Sequence, residues 1–88
     1  MPPEQAWDAV RTGRASLLDL RSRLERRRFG SPPQARRVSL LRHALWPRTD
    51  GAVYLCQHAV RSKLTLWRGA REVEGGFVAW QRAGLPVE

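Results

Sequence analysis

The chain has one cysteine, one lysine and no long apolar run. Because Cys56 has no second cysteine to join, the chain can form no intramolecular disulfide and no metal site built on paired cysteines. No apolar stretch reaches the length that spans a bilayer. The start of the chain, residues 1–4, lacks the basic and apolar segments of a secretory signal. We therefore expect a soluble, cytoplasmic protein with no membrane association.

Acidic residues are also scarce, with 8 Asp and Glu against 16 Lys and Arg, so the formal net charge is +8. Such a charge attracts anions of any kind, including phosphate, sulfate, thiosulfate and nucleic acid. The densest basic stretch has only one aromatic residue, Phe29, and is typical of a solvated helix face, which does not favour nucleic acid as a partner. This stretch contains Arg23, Arg26, Arg27, Arg28, Arg36 and Arg37.

The length of 88 residues, 42% of them hydrophobic, predicts one small globular domain over residues 1–88. Predicted helices cover residues 3–12, 23–29, 40–46, 60–69 and 77–83. Predicted strands cover residues 15–20, 38–40, 52–56 and 71–74. This alternation predicts an α/β fold with a compact parallel sheet and short flanking helices.

Local signals fix several of these predicted elements. Ser22 followed by Glu25 forms a capping box at the start of the second helix, and Gly30 closes that helix. The helical spacing predicts that Leu64 and Trp67 point inward, as do Trp7, Phe77 and Trp80. Trp46, just before Pro47, is predicted to be exposed, and His43 is predicted to be a surface helix residue.

The segment that carries chemistry follows the strand 52–56. A cysteine at the carboxyl end of a parallel strand, with a helix soon after, stands where α/β sheets bind ligands. Backbone N–H groups in such a turn converge on an anion and would stabilise a thiolate, which makes the cysteine a nucleophile. Arg61 and His58 would add positive charge. Spacing alone also allows Cys56 to be a small buried apolar residue.

His58 has only His43 as a companion and no cysteine pair nearby, so the sequence does not favour a metal site, and nothing in it calls for a cofactor.

Three motifs in order resemble the rhodanese-like domain family. Leu18-Asp19-Leu20-Arg21 is similar to the family's Leu-Asp-Val-Arg strand, and Cys56 to Ser62 is similar to its Cys-x-x-Gly-x-Arg-Ser loop. The segments 74–80 and 83–87 look like the family's ending. The resemblance spans nearly the whole chain, and its ending and loop are the most specific parts.

The resemblance implies a rhodanese-type sulfurtransferase that moves sulfane sulfur from thiosulfate, or a similar small anionic donor, to cyanide, a thiol or a protein. Cys56 would carry the sulfur as a persulfide, with Asp19 and Arg21 as supporting residues. The persulfide-binding loop would consist of Gln57, His58, Ala59, Val60, Arg61 and Ser62. Four residues separate Cys56 from Arg61, as in sulfurtransferases; phosphatases of this fold have a loop one residue longer.

The chain also departs from the family pattern. Ala59 replaces the loop glycine, residues 30–35 lack the family's histidine and second glycine, and the stretches 40–52 and 62–74 are shortened. The alternative function is therefore a sulfur carrier, or a catalytically weak rhodanese-like module, that binds a donor or acceptor protein.

Overall fold

A four-stranded parallel sheet forms the centre of the protein, described here from a computed structural model of residues 1–88. Its spatial order is β2-β1-β3-β4, and every neighbouring pair is parallel. Asp19 is in register with Leu55 on one side and Arg37 on the other, so three strands end at the same edge. The strands are β1 (Ser16–Asp19), β2 (Arg36–Arg37), β3 (Ala52–Leu55) and β4 (Arg71–Glu72).

Four short α-helices and one 3-10 helix connect and cover the strands, which confirms the predicted α/β class. They are α1 (Pro3–Arg11), α2 (Arg23–Phe29), α3 (Leu40–Leu45), the 3-10 helix (Arg61–Arg68) and α4 (Gly76–Arg82). The predicted capping box opens α2: Ser22 Oγ accepts from the Glu25 N–H at 3.2 Å, and Glu25 Oε1 accepts from the Ser22 N–H at 2.9 Å. None of the helices combines the length and apolarity that a membrane span requires.

Both faces of the sheet are covered, because successive strand side chains point to opposite sides and all four residues of β3 are buried. One face packs against α1 and α4, where Phe77 and Trp80 are fully buried. Trp7 is half-buried and meets Trp80 edge to face at 5.9 Å. The other face carries Leu18, Leu20, Ala52, Tyr54 and Cys56.

The prediction of a strand at 38–40 was wrong. The strand pairs two residues earlier, at Arg36–Arg37, and the next residues start α3. Ser39 is the N-cap of α3, since its side chain accepts from the Arg42 N–H at 3.2 Å.

The prediction that Leu64 and Trp67 point inward was also wrong, because their exposed fractions are 56% and 60%. In this 3-10 helix, with three residues per turn, Leu64 and Trp67 share one face, but that face points to solvent. Ser62 and Thr65 occupy the inner face and are buried. Trp67 instead donates from Nε1 to the Ala44 carbonyl at 2.8 Å and lies against exposed Trp46.

Candidate active site

Cys56 lies directly after β3, at the carboxyl edge of the sheet, and its exposed fraction is 1%. The chain curls back around its sulfur. The Ser62 N–H donates to Cys56 Sγ at 3.4 Å, and Ser62 Oγ lies 3.5 Å from the same atom. The loop 57–61 thus encircles the sulfur, because the residues on either side of it, Cys56 and Ser62, are joined by a hydrogen bond.

The backbone of this loop leaves a run of donors free. The N–H groups of residues 57–61 make no hydrogen bond within the protein, whereas the next N–H, that of Ser62, bonds to the sulfur. Successive unsatisfied N–H groups in a tight turn form an anion-binding concavity. The arrangement can therefore stabilise negative charge on, or bound next to, Cys56 Sγ.

The first residues of α4 hold the start of the 57–61 loop through backbone hydrogen bonds. The Phe77 N–H donates to the Cys56 carbonyl at 2.8 Å, and the Val78 N–H donates to the Gln57 carbonyl at 3.1 Å. Gly76 allows this approach, since it has φ +68° and a Cβ there would lie 2.7 Å from both Ala59 N and Gln57 O. Gly76 is thus needed for packing against the loop, whereas a Cβ at Gly75 would meet Ala79 of α4.

Ala59, which stands at the position of the family's loop glycine, adopts φ +60° and is buried. The left-handed conformation costs a residue with a Cβ about 1–2 kcal/mol. The alanine therefore keeps a glycine-like loop shape at the expense of local strain.

Arg21 ties the loop to β1 from a fully buried position. Its guanidinium bonds to both Asp19 carboxylate oxygens, through Nε at 3.0 Å and Nη2 at 2.8 Å. Nη1 donates to Gln57 Oε1 at 3.2 Å, and Nη2 donates to the Gly30 carbonyl at 2.9 Å. The guanidinium also lies 4.1 Å from the centre of the Phe77 ring. Arg21 thus bonds both to Asp19 on β1 and to Gln57 in the loop.

Arg61 is not a free cation at the loop. Its Nη1 and Nη2 each donate to a different oxygen of Glu25, both at 2.6 Å. The bond from Arg61 lowers the pKa of Glu25 to about 2, and the same bond raises the pKa of Arg61. Sequence reasoning used Glu25 only as a capping residue and missed this pair, which joins α2 to the loop.

A second carboxylate beside the loop was also missed. Glu72, buried on β4, accepts hydrogen bonds from Ser62 Oγ and Lys63 Nζ. Of the other predicted loop residues, His58 and Val60 are exposed and Gln57 is half-buried. No three His, Cys, Asp or Glu side chains stand together as metal ligands would.

Two curated proteins with similar sequences are both named thiosulfate sulfurtransferase GlpE. No family model matches the chain. The thiosulfate sulfurtransferase GlpE of Actinobacillus succinogenes is 31% identical over 98% of this chain and 86% of its own length. This chain belongs to the rhodanese-like sulfurtransferase family. GlpE of Actinobacillus pleuropneumoniae serotype 5b is 27% identical over 98% of this chain and 89% of its own length.

Several solved structures share the fold of this chain. A rhodanese-related protein from Thermoplasma volcanium aligns with a TM-score of 0.74 and 24% identity, over 100% of this chain and 95% of that one. The human single-domain sulfurtransferase TSTD1 aligns with a TM-score of 0.71 and 22% identity, over 93% and 94%. A Rhodopseudomonas palustris protein of unknown function, described as a possible tyrosine phosphatase, aligns with a TM-score of 0.80 and 23% identity, over 99% and 82%. At these identities the likeness concerns the fold. These structures confirm the fold class expected from the sequence, and the GlpE relative at 31% identity confirms the expected family.

Proposed function

We propose that this rhodanese-like protein takes a sulfane sulfur from thiosulfate, or a similar small anionic donor, onto Cys56 and passes it to a thiophilic acceptor. The observation that supports this most directly is the ring of free N–H groups at residues 57–61 around a buried sulfur. The GlpE relatives, which are named thiosulfate sulfurtransferases, favour the same donor.

In the first half-reaction the Cys56 thiolate attacks the outer sulfur of thiosulfate. A bond forms between Cys56 Sγ and that sulfur, the S–S bond of thiosulfate breaks, and sulfite leaves with the electron pair. The product is a Cys56 persulfide anion. The loop N–H groups stabilise its terminal negative charge, as preorganised backbone donors do for other anions.

In the second half-reaction a nucleophile such as cyanide, a thiol or a protein thiolate attacks the terminal sulfur. The persulfide S–S bond breaks, and Cys56 leaves as a thiolate, ready for another cycle. No outside oxidant or reductant is needed, because one S–S bond is exchanged for a bond from sulfur to the acceptor.

A phosphatase activity is disfavoured by the arginine of the loop. Phosphate-binding arginines work by donating two parallel N–H bonds to oxygens of the phosphate group. In this chain the Glu25 carboxylate already compensates the charge of Arg61, through bonds from both terminal nitrogens at 2.6 Å. Four loop residues before Arg61, rather than five, further favour a sulfur donor over a phosphate ester.

A sulfur carrier is the second candidate, and the surface beside the loop favours it. Val60, Leu64 and Trp67 have exposed fractions of 71%, 56% and 60%. Exposed apolar side chains next to a reactive residue are typical of a protein-docking surface. In this case Cys56 would take sulfur from a donor protein and react slowly with free thiosulfate.

The decisive experiment is intact-mass measurement after incubation with thiosulfate, on the wild type and on Cys56→Ser. We expect the wild type to gain one sulfur atom that a reductant removes, and the variant to gain none. Added cyanide should then yield thiocyanate repeatedly for an enzyme, but only once per chain for a carrier. If neither thiosulfate nor polysulfide adds sulfur to Cys56 in the folded protein, the proposal is refuted.

A further inference from the structure

A second concave site lies away from the Cys56 loop, between β2, α3 and the segment 46–48. Its volume is about 570 Å³, within the range of small-molecule sites. It is lined by Leu18, Arg36, Arg37, Val38, Ser39, Arg42, His43, Trp46 and Arg48.

The charge of this cavity is entirely of one sign. Arg36, Arg37, Arg42 and Arg48 line it, and no Asp or Glu does. None of the four takes part in an ion pair. Six other basic side chains do pair with carboxylates, namely Arg11, Arg14, Arg21, Arg26, Arg61 and Lys63. Of the 16 basic residues, ten have no ion pair, and four of these ten line this one cavity.

His43 lies in the wall of the cavity and responds to that charge. Its Nδ1 is 2.6 Å from the Tyr54 hydroxyl oxygen, which also accepts from the Arg48 N–H at 2.8 Å. The Tyr54 hydroxyl thus links the His43 ring to the backbone of Arg48. Burial lowers the pKa of His43, and the charges of Arg42 and Arg48 lower it further. These causes favour the neutral ring, and a change in the local charge would shift its pKa.

We propose that this cavity binds a small oligophosphate through Arg36, Arg37, Arg42 and Arg48. A guanidinium group donates two parallel N–H bonds to phosphate oxygens, and four such groups match a ligand with several negative charges. The limited volume of this concave site favours a small molecule over nucleic acid, whose binding surfaces follow an extended backbone. The site is separate from the sulfur chemistry, since it shares no residue with the Cys56 loop.

The two histidines of the chain make a direct test possible, since His43 reports on this cavity and His58 on the Cys56 loop. The ring signals of both are followed by NMR while the protein is titrated with inorganic tripolyphosphate at about 0.15 M salt, where distant surface charges are screened. We expect a saturable change at His43 and an increased pKa for it, because the bound phosphate offsets the charges of Arg42 and Arg48.

Two double variants with the same net charge distinguish binding in this cavity from general attraction of the anion to a basic protein. Arg42→Gln/Arg48→Gln removes two cavity arginines; Arg27→Gln/Arg82→Gln removes two exposed helical arginines that do not line it. Both lower the net charge equally. We expect the cavity variant to bind tripolyphosphate about tenfold more weakly or worse, equivalent to about 1.4 kcal/mol. The control variant should bind nearly as the wild type does.

Three results would overturn the proposal. Equal weakening by both double variants would show that only net charge attracts the anion. A change at His58 with none at His43 would place the anion at the Cys56 loop. A change at His43 on adding a single-stranded RNA, but none on adding tripolyphosphate, would assign the cavity to nucleic acid.

Discussion

Replacing Glu25 with glutamine is expected to release Arg61 while leaving α2 capped. Glu25 accepts from both terminal nitrogens of Arg61 at 2.6 Å and from the Ser22 N–H at 2.9 Å. Glutamine retains an oxygen that can complete the capping box, since Glu and Gln both serve at that position. The variant therefore removes chiefly the ion pair that joins α2 to the Cys56 loop.

The loss of stability expected for Glu25→Gln can be bounded from the Glu25 carboxyl, whose pKa is about 2 in the folded protein instead of 4.5. That difference corresponds to an upper bound of about 3.4 kcal/mol. The Glu25 and Arg61 side chains keep exposed fractions of 25% and 34%, so water screens their attraction. We therefore expect the free energy of unfolding to fall by about 1.5 kcal/mol, which would lower Tm by roughly 6–12 °C for a domain of this size.

The stability contributed by Glu25 should decrease as the pH falls. Because the folded pKa of Glu25 is lowered, its contribution to stability is complete above pH 4.5 and is lost as the pH falls towards 2. The difference in stability between the wild type and Glu25→Gln should thus be constant near neutral pH and shrink in acid. Glu4→Gln is the control, since Glu4 is an exposed residue of α1 with no ion pair.

Urea unfolding of Glu25→Gln, Arg61→Gln and the double variant measures the pair directly through a double-mutant cycle. A coupling energy of about 1 kcal/mol or more is expected for this paired geometry. Additive single variants, or a Glu25→Gln deficit that stays unchanged from pH 7 to pH 2, would refute the reasoning.

Two further predictions concern the backbone of the loop. Ala59→Gly should relieve the strain at φ +60° and raise the free energy of unfolding by about 0.5–1 kcal/mol in urea unfolding; a loss of stability would contradict the strain. Gly76→Ala should cost more than Gly84→Ala, although both glycines have positive φ, because a Cβ at Gly76 meets the backbone of Cys56, Gln57 and Ala59 whereas one at Gly84 meets nothing within 4 Å. Equal losses in thermal unfolding would count against that packing.

Much of the secondary structure was predictable because its signals are local. The run of apolar residues before Cys56 predicts β3, and the spacing of Ser22 and Glu25 predicts the start of α2. The errors arose where local signals compete. Ser39 is compatible with a strand but caps α3. After the loop, the pairs Ser62/Thr65 and Leu64/Trp67 have the same spacing, and the bonds of Ser62 to Cys56 and Glu72 turn the polar pair inward.

The sequence by itself determined that a lone cysteine follows a buried strand and precedes a turn, since both features depend on near neighbours in the chain. Only the tertiary structure decided which charges meet. Glu25 and Arg61 are 36 residues apart in sequence, and the arginines of the β2–α3 cavity come from three separate segments. The reason is physical: local conformation depends on adjacent residues, whereas ion pairing and burial depend on distances that exist only after the sheet has assembled.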